Sequence, residues 1–147
     1  MQYDFNVNQK AWWMIFVCWL LATISTLGSL FFSEIMKFPP CVFCWYQRIA
    51  MYPLVVLFIV GLFHSPKVVY SFTFPLVVIG WFIALYHNLL HYKIVPESAS
   101  PCLEGLSCST IYINWLGFIT IPMLSLIAFS LLSIILIFLK RKRFYEK

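Results

Sequence analysis

Residues 41–63 read CVFCWYQRIAMYPLVVLFIVGLF. After Arg48 the stretch carries no charge as far as Phe63. A helix rising about 1.5 Å per residue needs roughly 20 residues to cross the hydrocarbon core. The run 45–63 has that length, and three more apolar runs of similar length lie outward from it, at about 11–33, 68–90 and 115–139. Hydrophobic residues make up 63% of the chain and charged residues 10%. Soluble domains carry roughly 25% charged residues. A soluble domain of 147 residues cannot hide that much apolar surface. Backbone amides find no water inside a bilayer, so spanning segments must be helices or closed barrels, and barrel strands would be shorter and alternating. The expected fold is all-α: a single integral membrane domain over 1–147, a bundle of four transmembrane helices.

A secretory signal has an apolar core of only about 7–15 residues. The first run is longer than that, and no small-x-small cleavage site follows it. It is therefore expected to remain as a helix. Basic residues set the orientation. With both termini cytoplasmic, the inner side holds Lys10, Lys67, Lys140, Arg141, Lys142, Arg143 and Lys147, and the outer side holds Lys37, Arg48 and Lys93. Seven against three favours that arrangement. The run KRKR at 140–143 reads as an anchor at an anionic lipid surface rather than as a nucleic-acid patch. Trp12, Trp13, Trp45, Tyr46, Tyr112 and Trp115 stand near segment ends, as an aromatic belt does.

This topology leaves two extracytoplasmic loops, about 34–44 and 91–114. Of the five cysteines, Cys41 and Cys44 fall in the first and Cys102 and Cys108 in the second. Disulfides persist outside the cytoplasm, so the cysteines agree with an orientation derived from Lys and Arg alone. Four cysteines allow three connectivities, of which pairing within each loop is the simplest. Cys18, among Val17, Trp19 and Leu20, reads as a small buried hydrophobe.

Cys41 and Cys44 form a Cys-x-x-Cys pair at a helix start, expected near Cys44. Cys44, Gln47 and Arg48 then share one face at i, i+3 and i+4. The helix N-terminus and the Arg48 cation are both expected to favour a thiolate on Cys44. A charge at that depth is costly and opposes the positive-inside bias, so Arg48 is a functional candidate; the bland alternative is an arginine snorkelling to the interface. A dithiol that is oxidised must pass on two electrons. No nucleotide-binding fingerprint is present, which points to a lipid-soluble two-electron carrier, a quinone. Gln47 and His87 are candidates to hydrogen-bond it. His91 shares a face with His87, a spacing that could also ligate haem or metal with partners elsewhere; His64 is given no role. The pair Cys102 and Cys108, spaced C-x5-C in PESASPCLEGLSCS, is either a structural staple or the outer half of a relay to Cys41 and Cys44.

PPCVFCWYQR resembles the Pro-Cys-x-x-Cys-x-x-x-Arg pattern of the DsbB family of bacterial disulfide bond formation proteins. The segment PC-x5-CSTIYINWLGFITIPMLSLIAF is similar to the shorter BdbC-type branch of Gram-positive bacteria. The resemblance covers nearly the whole chain. It implies a quinone-dependent protein-disulfide oxidoreductase of the cell membrane, which reoxidises an extracytoplasmic thioredoxin-fold thiol oxidase of the DsbA or BdbD type and passes the electrons to quinone, in a Gram-positive cell menaquinone. Carried over, Cys102 meets the partner, Cys108 completes that pair, Cys41 and Cys44 receive the electrons, and Arg48 tunes thiolate and quinone, with Gln47 and His87 beside it. The short C-x5-C loop departs from Gram-negative relatives and puts any large loop rearrangement in question. Three rivals stand against it. A non-enzymatic four-span protein would use both disulfides to stiffen loops. A zinc site would need the four loop thiolates to converge. A reductase resembling vitamin K epoxide reductase would carry its Cys-x-x-Cys after the loop pair, the reverse of the order here.

Overall fold

The structure is a computed structural model, and it describes residues 2–37, 40–64, 66–95 and 120–145. Four long helices carry it: α1 (Gln2–Leu30), α2 (Val42–Phe63), α3 (Pro66–His91) and α4 (Ile121–Tyr145). All four are long and apolar enough to cross a membrane. A π-helical turn, Phe31–Ile35, continues α1. Each helix runs past its apolar segment, since a helix need not stop where the hydrocarbon does. The start of α2 is a correction. It lies at Val42 rather than near Cys44, because Cys41 takes the extended N-cap conformation and its sulfur accepts from the Cys44 amide. α4 begins at Ile121, and 115–119 of the expected fourth run lie outside the described residues.

Consecutive helices pack against each other and α4 closes back onto α1, while α1 and α3 barely touch across the diagonal. The bundle is thus an up-and-down ring with the ends of α1 and α3 and the starts of α2 and α4 at one end. Its seams follow helical spacing: Ile15, Cys18 and Ala22 on α1; Ala50, Met51, Leu54 and Phe58 on α2; Val69, Val77 and Ala84 on α3; Phe129, Leu132, Leu136 and Leu139 on α4. Lipid is as apolar as these side chains, so close packing and interhelical hydrogen bonds carry the association. Gly80 lets the Phe129 ring lie where a Cβ would stand. Trp81 Nε1 donates to Ser130 Oγ at 2.9 Å. Asn88 Nδ2 donates at 2.8 Å to both the Ala84 and Pro122 carbonyls, joining the end of α3 to the start of α4. Cys18 is buried in this core, as its apolar neighbours suggest.

Candidate active site

At the end of the bundle where α2 starts, four residues of α2 and its cap meet α3. The Cys41 and Cys44 sulfurs lie 3.0 Å apart. A Cys-x-x-Cys beginning at the N-cap places the second cysteine one turn on, directly over the first. A disulfide bond is about 2.05 Å long, so a small approach of the two sulfurs closes one. The two thiols are free in this structure.

His87, from the last turns of α3, comes to 3.6 Å from Cys41 Sγ through Nε2. Its other nitrogen, Nδ1, faces Gln47 Nε2 at 3.4 Å. Amide nitrogen only donates, so Nδ1 accepts and the ring proton sits on Nε2, aimed at Cys41. The ring stacks on Phe43 with centroids 5.6 Å apart and planes inclined by 27°, and Phe43 in turn meets Tyr86 at a tilt. His87 is 2% exposed and Gln47 8%, so this chain of contacts is shielded from both water and lipid. Both nitrogens of His87 are thus spent inside the protein, on the thiol and on Gln47.

The stabilising bonds converge on Cys41, where the sequence had favoured Cys44. Cys41 lies at the helix cap, just outside the spanning segment. The hydrogen bond from the Cys44 thiol, followed by that from His87, outweighs burial and holds Cys41 well below the usual thiol value, at about 4. The Cys44 amide, at 3.4 Å, adds to it.

Arg48 lies one turn beyond Cys44 and is buried. Its guanidinium reaches across to α1, where Nε donates to Ser29 Oγ and Nη2 to the Ser29 carbonyl, both at 2.9 Å. Trp45 covers it, the guanidinium carbon 5.4 Å from the ring centroid. Ser29 escaped the sequence reading. A serine in an apolar run carries no signal of its own, and only the packing of α1 on α2 shows its partner. Cys102 and Cys108 lie outside the described residues.

A family model described as Disulfide bond formation protein DsbB matches residues 9–139. This chain belongs to the DsbB family. It is 46% identical over 129 residues to Disulfide bond formation protein C of Bacillus subtilis (strain 168), a match covering 88% of this chain and 94% of the relative. It is 41% identical to Probable disulfide formation protein C 1 of Bacillus anthracis, covering 86% and 91% of the two chains. A Probable disulfide formation protein of Metapseudomonas resinovorans is 39% identical, covering 89% and 92%. No solved structure matches the chain. Family and helices together make this DsbB-family chain a multi-pass membrane oxidoreductase of disulfide bond formation.

Proposed function

We propose that this protein oxidises an extracytoplasmic thioredoxin-fold thiol oxidase of the DsbA or BdbD type and delivers the electrons to a membrane quinone, menaquinone in a Gram-positive cell. The observation that carries this reading is a Cys-x-x-Cys pair at a membrane-helix cap, one turn from a buried arginine. Both termini are placed in the cytoplasm, so that Cys41, Cys44, Cys102 and Cys108 face the oxidising side.

The route balances in three exchanges. The partner's two thiols become a disulfide as the Cys102–Cys108 disulfide opens to two thiols. Those thiols then reduce the Cys41–Cys44 disulfide by attack through a mixed disulfide. Finally Cys41 and Cys44 close their S–S bond, releasing two electrons and two protons. A quinone, when bound, supplies the sink for both.

The residues near Arg48 fit such a group. Its Nη1 carries no hydrogen bond among the described residues, leaving a cationic donor for a carbonyl oxygen. Further along the same two helices, Thr26 Oγ1 and the Tyr52 hydroxyl are buried with no partner among the described residues. Trp45 and Ile49, on either side of Arg48 in sequence, are exposed and apolar, as a ring on an isoprenoid tail requires. Gln47 keeps its carbonyl oxygen and a second amide hydrogen for the same site. His87 acts from the other side, holding charge on Cys41, while His91 has a buried Nδ1 without a partner among the described residues.

The test uses the full chain in detergent with a quinone and a reduced thioredoxin-fold oxidase, followed by quinone absorbance. Cys44→Ser is expected to abolish quinone reduction. A Cys108→Ser variant is expected to accumulate a mixed disulfide between Cys102 and the partner. Retained turnover in the first, or no adduct in the second, would falsify the route.

A further inference from the structure

Cys41 Sγ, Cys44 Sγ and His87 Nε2 all lie within 4.8 Å of one another. A tetrahedral zinc ion, with Zn–S about 2.3 Å and Zn–N about 2.0–2.1 Å, sets its sulfur and nitrogen ligands about 3.6 Å apart and two sulfurs about 3.8 Å apart. The Cys41–His87 separation is 3.6 Å. The sulfurs stand at 3.0 Å. The dithiol therefore needs to open by less than ~1 Å, within reach of a side-chain rotation. We infer that the reduced site binds one soft divalent cation of the zinc class through Cys41, Cys44 and His87, and that this withholds the protein from its redox cycle.

The chemistry of the donors favours it. Two thiolates and an imidazole are the donors that zinc and cadmium prefer. Each S–H bond still present breaks and its proton leaves, two metal–sulfur bonds form, and no electrons are transferred. The two negative sulfurs cancel the charge of the cation, so the filled site is neutral where the bilayer begins. Two positive groups oppose the metal. The start of α2 amounts to roughly half a charge, against two full charges in direct contact with the ion. Arg48 is turned onto Ser29. The support of His87 is also in place: a metal on Nε2 needs a proton on Nδ1, and a half-turn of the Gln47 amide sets its oxygen there to accept it. Phe43 already fixes the ring plane. Three protein donors leave the fourth position open to water.

A metal-bound dithiol cannot close to a disulfide, so the cation acts as an inhibitor selective for the reduced state. The site rests on three side chains and involves neither acceptor nor partner, so its test stands apart from that of the redox route. The full chain with Cys102→Ser and Cys108→Ser, which removes the loop thiols, is reduced in detergent and titrated with cadmium, read by thiolate-to-metal absorption. One equivalent is expected, and none after oxidation. Adding Cys41→Ser or Cys44→Ser is expected to weaken binding at least about a hundredfold, and His87→Gln at least about tenfold. Cadmium NMR of the protein with His87 intact reads a two-sulfur, one-nitrogen donor set without relying on that variant. Binding that survives Cys41→Ser overturns the site. So does an affinity unchanged by His87→Gln together with a spectrum lacking nitrogen, which would leave only a chelating dithiol.

Discussion

Cys41 and Cys44 have the same side chain and neighbouring positions, yet the structure gives them different work. Cys41 caps α2 and collects the Cys44 thiol, the Cys44 amide and His87. A thiol near 9 loses about tenfold of its reactive anion for each pH unit below that value, whereas one lowered to about 4 stays ionised throughout the neutral range. With a chelator present, alkylation of reduced Cys41 is therefore expected to change less than about twofold between pH 8 and 6, where an ordinary thiol slows roughly a hundredfold. Because the Cys44 thiol is the leading cause, Cys44→Ala is expected to restore the steep dependence. Ser29 supports a second expectation. Hydrogen bonds to a charged group contribute roughly 1.5–3 kcal/mol. Ser29→Ala removes one of two from Arg48. The apparent quinone affinity is expected to fall about tenfold with a smaller change in maximal rate, and Ser29→Thr to preserve it. Equal loss in both variants would show that the hydroxyl is not what positions Arg48.

The helices were largely legible in the sequence because each must satisfy its own backbone in lipid, which leaves a long apolar run as the only workable pattern. Their ends were less so. The start of α2 depends on which cysteine adopts an extended backbone, a choice that hydropathy does not record. Helix contacts were not legible at all. Gly80 looks like one small residue in an apolar stretch until Phe129 is set against it. Gly80→Ala forces that ring aside. The substitution is expected to destabilise the bundle by about 1–3 kcal/mol, measured as a lower midpoint in thermal unfolding in detergent. Gly28→Ala, with open space around its Cβ position, is the control expected to show no loss.

On the scale of the molecule, the up-and-down ring gathers the starts of α2 and α4 and the ends of α1 and α3 into one layer. The dithiol, His87 and Arg48 therefore share a level although 46 residues separate Cys41 from His87. Lys140, near the other end, lies over the Tyr70 ring at 5.6 Å. In intact cells, an impermeant thiol reagent applied after reduction is expected to label Cys102 and Cys108, and a cysteine placed at Lys147 is expected to stay unlabelled. The opposite pattern would reverse the membrane orientation and remove the extracytoplasmic partner.

Length, hydropathy and the placing of lysine and arginine suffice for four spans and an expected orientation, since each is a property of a segment meeting lipid and water by itself. The Cys-x-x-Cys with its arginine is local too, one turn of one helix, and so it could be read along the chain. What His87 and Gln47 touch and where the Arg48 guanidinium points were decided only by tertiary structure. Those contacts join residues on different helices, and their distances depend on how the helices pack.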